Sequence, residues 1–288
     1  MQIHLVDGTY ELFRAHFGAP RATTSKGVEV GATRGLMRSL HALKKQPGVT
    51  HVGIAFDTVI ESFRNALFAG YKTGEGVEPE LLAQFPLAER AARAMGLATF
   101  SMVEFEADDA LSTAAARCAA DPRVERVLLC TPDKDLLQCV HGTRIVAFDR
   151  RKELVIDEDG VRQKLGVDPE SVADWLALVG DTADGIPGLP RWGEKSASTV
   201  LARYRKLEAI PDDAAQWDVA VRGKDALADS LKNGRNEALL YRTLATLRTD
   251  APIECAPDAL AWGRGDRDAI ASVCDELEFA SFLARWEA

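Results

Sequence analysis

The stretch at residues 106–109, Glu-Ala-Asp-Asp, most constrains what this chain can fold into, because it places three carboxylates within four residues. It stands at the head of an alanine-rich segment, residues 109–120, whose composition predicts a helix. Acidic residues in a first helical turn stabilise the positive end of the helix dipole, so the stretch alone is more typical of a helix start than of a site. Three adjacent negative charges also repel one another, and a bound cation would relieve that repulsion.

Further carboxylates follow the predicted strands. Three apolar runs predict buried strands, and each one is followed by aspartate. The runs and their aspartates are residues 2–6 with Asp7, residues 51–56 with Asp57, and residues 126–130 with Asp133 and Asp135. Open α/β sheets bind ligands at the carboxyl ends of their strands. The pattern therefore predicts an acidic edge on a mainly parallel sheet flanked by helices.

The remaining periodicity divides the chain near residue 160. Before that point the sequence predicts a helix at 31–45, a crossing loop at 61–76, a helix at 78–95 and a small hairpin of residues 144–148 and 153–156. After residue 157 strand signals nearly vanish and short helices dominate. We therefore expect an α/β domain over residues 1–160 and an all-helical domain over residues 161–288.

The second half opens with a helix–loop–helix segment. A helix over residues 171–179 leads into residues 180–188, which are dense in Gly, Pro and Asp, and a second helix opens at Glu194. Turn geometry alone accounts for aspartates in such a loop, so Asp181 and Asp184 are by default structural. The exposed amides of a helix start can nevertheless grip phosphate without regard to sequence. A P-loop is excluded, because a helix precedes the loop and Glu194 stands where that motif has lysine.

Charge and cysteine content limit the class of protein. The chain has 35 basic and 44 acidic residues, a net charge of −9, which argues against binding nucleic acid by bulk positive charge but permits a local basic face. The five cysteines are odd in number and include no C-x-x-C pair, which favours reduced thiols in a cytoplasmic protein. No apolar run approaches the roughly 20 residues that span a bilayer. We expect no association with membranes.

The acidic residues add up to a metal-binding set without histidine or cysteine. Oxygen-only ligands suit hard cations such as Mg²⁺ or Mn²⁺. Two such ions roughly 3.5–4 Å apart can activate water and stabilise the leaving oxygen of a phosphodiester. The set comprises Asp7, Asp57, Glu106, Asp108, Asp109, Asp133, Asp135, Asp181 and Asp184.

Seven short motifs together resemble the bacterial 5′–3′ exonuclease and flap endonuclease family, which includes the N-terminal nuclease domain of DNA polymerase I. They occur in the family's order and approximate spacing over essentially the whole chain. They are Asp7-Gly8, Phe56-Asp57, Tyr71-Lys72, the acidic stretch 106–109, residues 131–135, Gly180-Asp181-x-x-Asp184 and Gly193-Glu194-Lys195. The resemblance implies a PIN-like nuclease domain with an arch or loop near residues 61–95. It also implies a helical DNA-binding domain with a helix-hairpin-helix variant at about 174–204.

The resemblance implies roles for these residues. The first five carboxylates of the set would hold one metal ion and the last four the other, with Asp133 near both and catalytic. Lys72 would lie over the scissile phosphate and stabilise charge there. Tyr71 either stacks on a base or packs, and Arg14 either contacts phosphate or forms a surface ion pair. The implied DNA-binding residues are Arg14, Tyr71, Lys72, Gly188, Arg191, Gly193, Lys195 and Ser196.

Two departures from the family pattern affect these expectations. Where relatives carry a second basic residue after the Tyr-Lys pair, this chain has Thr73-Gly74-Glu75, followed by Glu78 and Glu80. An acidic arch would weaken the grip on a single 5′ strand. Residues 191–193, Arg-Trp-Gly, replace the usual Gly-Ile-Gly of the hairpin, which puts a potassium ion at the helix-hairpin-helix in question.

The resemblance thus implies a monomeric, metal-dependent 5′–3′ exonuclease and 5′-flap endonuclease. Its substrates would be DNA with 5′ ends, nicks or flaps, and its products would carry 5′-phosphates. A non-catalytic DNA-structure-binding paralogue would normally have lost carboxylates, and a PIN-type ribonuclease is usually shorter and lacks residues 180–196. A haloacid dehalogenase-like phosphatase would need a nucleophilic aspartate where Leu5 stands.

Overall fold

The computed structural model describes residues 1–286, and the fold within them is mixed α/β. The strands are Gln2–Asp7 (β1), His51–Asp57 (β2), Ala98–Met102 (β3), Arg126–Cys130 (β4), Ile145–Asp149 (β5) and Leu154–Ile156 (β6). The helices are Gly8–Gly18 (α1), Gly31–Lys44 (α2), Phe63–Leu67 (α3), Pro79–Leu82 (α4), Phe85–Ala94 (α5), Ala107–Ala120 (α6), Glu158–Leu165 (α7), Val172–Val179 (α8), Glu194–Tyr204 (α9), Lys224–Asn233 (α10), Arg235–Ala245 (α11), Arg267–Glu276 (α12) and Ala280–Trp286 (α13). The expected class, a mainly parallel α/β fold followed by helices, is confirmed.

The chain forms two compact units that are interleaved in sequence. Unit one comprises residues 1–62, residues 74–131 and the chain from residue 249 onward. Unit two comprises residues 63–73 and 132–248. These units differ from a single division near residue 160, because the last segment of the chain returns to unit one.

Unit one is built on four parallel strands in the order β3-β2-β1-β4. Ile3 of β1 lies opposite His51 on one side and Val127 on the other. Central parallel strands are covered by helices on both faces and therefore carry continuous apolar runs, and Ile3 and Leu5 are fully buried. Strand β3 was not predicted, since as an edge strand it is only partly buried and its sequence signal is correspondingly weak.

The final segment of the chain is held in unit one by backbone and side-chain hydrogen bonds. The amide of Trp262 donates to the carbonyl of Thr50 at 2.8 Å, and its indole Nε1 donates to the carbonyl of Met95 at 2.9 Å. The amide of Ala251 donates to the hydroxyl of Thr113 on α6 at 3.1 Å. These bonds close unit one around residues that sequence reasoning assigned to a separate helical domain.

Two helical predictions are wrong in detail. The helix expected over residues 78–95 is two helices, α4 and α5, because Pro86 cannot occupy a helix interior and instead stands in the first turn of α5. The predicted loop at 61–76 contains the short helix α3. The sequence there has no apolar periodicity and therefore did not indicate a helix. None of the helices within residues 1–286 is both long and apolar enough to cross a membrane.

Unit two packs α8, α9, α10 and α11 around an apolar core that includes Leu176, Trp175 and Leu231. Strands β5 and β6 form an antiparallel hairpin, with Ala147 opposite Ile156. The predicted helix–loop–helix is present as α8, the loop 180–193 and α9. Helix α8 is apolar nearly all round, which explains why it lies at the centre of this core.

Candidate active site

Two strand ends define the acidic edge of unit one. Asp7 closes β1 and Asp57 closes β2, and the register places them opposite Ala55 and Met102 of the neighbouring strands. The two Asp7 oxygens accept from the amide of Tyr10 at 2.8 Å and the hydroxyl of Thr131, just after β4, at 3.1 Å. The carboxylate of Asp7 is therefore fixed at the carboxyl edge of the sheet.

The start of helix α6 is attached to the same edge. Asp57 Oδ1 accepts from the amide of Ala107 at 2.7 Å, and the Asp57 amide donates to the hydroxyl of Thr9 at 2.8 Å. Glu106, directly before α6, is buried, and its carboxylate accepts from the Ser62 hydroxyl at 2.6 Å. These bonds bring Asp7, Asp57 and Glu106 to one edge, where the strand pattern predicted Asp7 and Asp57.

The stretch 106–109 serves as a helix start within this site. Asp109 is fully buried, and its Oδ2 accepts from the amide of Glu106 at 3.0 Å. This contact caps the first turn of α6, as the less specific interpretation of the stretch expected. Asp108 is partly exposed. The carboxylates of this stretch can cap the helix and also belong to the acidic edge, because the start of α6 lies beside the ends of the strands.

Unit two carries the second acidic cluster, formed by Asp133, Asp135, Asp181 and Asp184. Asp135 is only 5% exposed, and its Oδ1 has no hydrogen-bond partner within residues 1–286. Burial raises the pKa of Asp135 well above its usual range, and the negative charges of Asp133, Asp184 and Asp181 raise it further. The four carboxylates that the sequence assigned to one metal ion are therefore close enough to repel one another.

Two lysines compensate part of this negative charge. Lys72 Nζ lies 3.0 Å from Asp184 Oδ1, and Lys134 Nζ lies 2.9 Å from Asp181 Oδ2. Burial lowers the pKa of Lys134, but the ion pair with Asp181 and the charges of Asp135 and Asp133 outweigh it and leave the pKa raised. Sequence reasoning missed Lys134. The sequence feature that could have identified Lys134 is its position between two aspartates of the predicted set.

Lys72 is positioned by its backbone as well as by its ion pair. Its amide donates to the carbonyl of Asp184 at 3.0 Å, and its carbonyl accepts from the side chain of Asn65 at 2.9 Å. Tyr71 is 2% exposed, and its hydroxyl donates to Asp184 Oδ2 at 3.3 Å. Of the two roles considered for Tyr71, its place in the core of unit two supports packing, and stacking on a base stays a prediction.

Ion pairs also involve two other residues singled out in the sequence. Arg14 donates to the buried carboxylate of Glu11 and, at 3.1 Å, to the hydroxyl of Ser39, which matches the surface ion pair considered for it. Glu78 lies 3.1 Å from His16 Nε2 and 3.2 Å from a guanidinium nitrogen of Arg21. Glu78 therefore adds less negative charge to the expected arch than its sequence position suggests.

The loop between α8 and α9 keeps a conformation that normally requires glycine. Arg191 has a φ angle of 72°, in the left-handed region that side chains rarely adopt. An arginine thus stands where a turn of this conformation would normally have glycine. Its side chain is exposed, as is that of Lys195, whereas Gly188 is buried. Gly193 precedes α9, and its amide donates to the Ser196 hydroxyl at 3.0 Å.

The donor chemistry of both clusters fits a hard divalent cation. Both sets are oxygen-only, and the unpartnered Oδ1 of buried Asp135 is an atom that a cation would satisfy. Across the described residues, 1–286, no three Asp, Glu, His or Cys side chains are arranged to hold an ion. In unit two, Asp184 and Asp181 are paired with Lys72 and Lys134. To bind a metal, Asp181 and Asp184 would have to exchange the ammonium groups of Lys134 and Lys72 for it.

Comparison with known families decides the assignment. The family description "5′-3′ exonuclease, N-terminal resolvase-like domain" matches residues 2–166, and "5′-3′ exonuclease, C-terminal SAM fold" matches residues 167–268. The chain belongs to the 5′–3′ exonuclease family. Two relatives in the family are the DNA polymerases I of Pseudomonas aeruginosa, 36% identical over 97% of this chain, and of Bacillus caldotenax, 34% identical over 98%. The chain spans 31% and 32% of their lengths.

The 5′–3′ exonuclease fold is also shared with a solved structure. The bacteriophage T5 flap endonuclease, crystallised with DNA and metal ions, aligns with a TM-score of 0.66 over 99% of this chain and 98% of its own. Its sequence identity is 18%. At that identity the likeness establishes the fold, and the chemistry of this chain has to be argued from its own residues.

Proposed function

We propose that this chain is a metal-dependent 5′–3′ exonuclease and structure-specific 5′-flap endonuclease that hydrolyses DNA phosphodiesters to 5′-phosphate products. The observation that carries the proposal is the buried Asp135 with an unpartnered oxygen among three other carboxylates. The fold gains nothing from burying the Asp135 carboxylate among other carboxylates, because a desolvated negative charge beside like charges opposes folding, and the two lysines compensate only part of this charge. The arrangement becomes favourable when a divalent cation binds.

Each unit would hold one Mg²⁺ or Mn²⁺ ion. Unit one would use Asp7, Asp57, Glu106, Asp108 and Asp109, and unit two would use Asp133, Asp135, Asp181 and Asp184. Bound ions of this kind lower the pKa of a coordinated water and stabilise the leaving oxygen of a phosphodiester. The presence of metal ions and DNA with the T5 flap endonuclease supports this assignment.

Lys72 has a distinct role in this proposal. Its ammonium pairs with Asp184, and its backbone is held by hydrogen bonds with the Asp184 carbonyl and the Asn65 side chain. With a cation on Asp184, the ammonium of Lys72 would no longer pair with that carboxylate, while the Lys72 backbone would stay held by its two hydrogen bonds. The ammonium can then donate to a phosphate oxygen and stabilise the charge that develops as the bond breaks.

The loop 180–193 and the start of α9 would hold the DNA backbone. Amides at a helix start and the side chains of Arg191, Lys195 and Ser196 offer donors to phosphate. Arg191 has the left-handed backbone conformation that glycine normally adopts, so a K⁺ ion at this turn is compatible with the arginine. Gly188 and Gly193 would contribute backbone contacts. We propose that the protein acts as a monomer in the cytoplasm.

Substitution of Asp133 tests the proposal directly. We expect Asp133→Asn to abolish cleavage of a 5′-flap substrate in Mg²⁺ while Asp225→Asn, an exposed aspartate of α10, cleaves at the wild-type rate. The substrates are 5′-labelled flap, nicked and single-stranded DNA and the matching RNA, with Mg²⁺ and with chelator. A wild-type rate for Asp133→Asn contradicts the metal assignment. Binding of flaps without any cleavage indicates a DNA-structure-binding protein, and preferential cleavage of RNA indicates a ribonuclease.

A further inference from the structure

A basic cavity lies in unit one at the edge of the sheet opposite to the carboxylates. Helix α2 ends at Lys44, and the chain then enters β2 at His51, so this end of α2 stands at the amino edge of the strands. The cavity has a volume of about 750 Å³, within the range of small-molecule sites. Its lining side chains are His41, Lys44, Lys45, Arg264, Arg267 and Trp286.

The cavity brings together several basic side chains. Across residues 1–286, no carboxylate lies within 4 Å of the charged atoms of Lys44, Lys45 or Arg264, whereas most other basic side chains named so far have acidic partners. Burial lowers the pKa of Lys44. The nearby Asp266 is engaged in capping α12, where it accepts from two amides at 3.0 Å. In a chain of net charge −9, such a concentration of cations indicates a site for an anion.

One wall of the cavity is aromatic. The ring of Trp286 stacks on that of Phe282 with centroids 6.1 Å apart and an interplanar angle of 22°. Lys44 Nζ lies 4.4 Å from the centroid of the Trp286 ring. Phe282 is buried, but Trp286 is only partly buried and contributes to the cavity surface. Rings beside cationic side chains are the combination with which proteins bind a nucleobase and its phosphate.

Packing of α13 against α2 accounts for only some of the side chains that line the cavity. The stacked rings of Phe279, Phe282 and Trp286, with Lys44, hold the two helices together. Lys45 and Arg264 take no part in that packing. Both are exposed, and neither side chain has a hydrogen bond or ion pair within the described chain, 1–286. The loop that contains Arg264 is nevertheless fixed, because the amide of Asp266 donates to the carbonyl of Ala94 at 2.9 Å.

We propose that this cavity binds a nucleoside 5′-phosphate unit, either as a free nucleotide or as one residue of a single strand. Lys45 and Arg264 contact the phosphate, and Trp286 contacts the base. The site lies at the amino edge of the sheet and shares no residue with the acidic clusters. The inference therefore does not depend on the proposed nuclease activity, and binding rather than cleavage tests it.

Calorimetric titration in the presence of chelator provides the test. The probes are dAMP, adenosine, inorganic phosphate and a short oligothymidylate, each added to the full chain. We expect the double substitution Lys45→Glu with Arg264→Glu to weaken dAMP binding about tenfold or more, since two charge-assisted contacts are lost. Lys164→Glu with Arg222→Glu, at two exposed positions of unit two, matches the charge change and should leave dAMP binding unchanged.

The role of the base is tested separately. Trp286→Leu should weaken dAMP binding several-fold and leave phosphate binding unchanged, because it removes the ring that contacts the base and keeps Lys45 and Arg264, which contact the phosphate. Tighter binding of the oligothymidylate than of dAMP, with the same loss in the Lys45/Arg264 variant, identifies a single strand as the ligand, and the reverse order identifies a free nucleotide. No binding of either probe overturns the proposal. Equal binding in the two double variants, or binding of phosphate as tight as that of dAMP, also overturns it.

Discussion

At the scale of single residues, Asp135 shows how a functional carboxylate opposes stability. Its side chain is buried beside three other carboxylates, and its pKa is raised, first by burial and then by their charges. The folded state therefore holds the proton more tightly than the unfolded state. Stability from this group is present below the ordinary aspartate pKa and is lost as the pH rises through the raised pKa of the folded state.

We expect Asp135→Asn to raise the free energy of unfolding in chelator at neutral pH by about 1 kcal/mol or more, because the amide carries no charge. The difference from the wild type should grow as the pH rises across the window just described. Urea unfolding at several pH values measures it. Added Mg²⁺ should stabilise the wild type more than the variant. A variant less stable than the wild type in chelator at every pH would show that the carboxylate is structural.

Arg64 is a buried arginine with a structural role that the sequence did not reveal. It is 1% exposed, and its guanidinium donates to the carbonyls of Leu244 at 2.7 Å and Thr246 at 3.1 Å. Arg64→Ala leaves both carbonyls unpaired and should lower the free energy of unfolding by about 2–4 kcal/mol. Arg64→Lys keeps the charge but not the fork of donors, so it should recover only part of this loss.

Urea unfolding of the wild type, Arg64→Ala and Arg64→Lys tests the role of Arg64. Arg222→Ala, at an exposed arginine without a hydrogen bond or ion pair within residues 1–286, serves as the control and should change the unfolding free energy by less than about 0.5 kcal/mol. If Arg64→Ala unfolded like this control, the two hydrogen bonds would contribute nothing measurable.

At the scale of elements, strands in the middle of the sheet were predictable and their surroundings were not. Strand β4 was predicted with its observed bounds. A parallel strand that is covered on both faces is a nearly continuous apolar run, and this pattern is visible in the sequence. Edge strand β3 and the short α3 lack such a pattern, and their positions depend on tertiary contacts. For the same reason the sequence assigned carboxylates to the site but missed Lys134, whose partner Asp181 is 47 residues away along the chain.

The loop before α9 carries measurable strain. Arg191 adopts a left-handed backbone conformation that costs a residue with a side chain roughly 1–2 kcal/mol. Glycine avoids this cost, but its greater conformational freedom in the unfolded state offsets part of the gain in stability. We expect Arg191→Gly to raise the free energy of unfolding by about 0.5–1 kcal/mol, measured in urea. Arg191→Ala, which retains the strain, should show no gain. Equal stability of the glycine and alanine variants would contradict the strain argument.

At the scale of the whole molecule, the net charge of −9 sets how DNA can be held. Affinity must come from local donors, so the affinity for a flap substrate without catalytic metal should fall linearly with salt on a double-logarithmic plot. Arg191→Ala should weaken binding for all sequences alike and make the slope shallower by about one. Fluorescence anisotropy at several salt concentrations measures both quantities. An unchanged slope would show that Arg191 does not contact phosphate.

The interleaving of the two units also has a consequence for synthesis on the ribosome. All of unit two has been translated once residue 248 is joined, whereas unit one still lacks its last segment. Strands β1 to β4 must therefore wait, incompletely covered, until Ala251 and Trp262 emerge to reach Thr113, Thr50 and Met95. Unit one begins before unit two and is completed after it, so the speed at which residues 249–262 are translated bears directly on how long its sheet stays unprotected.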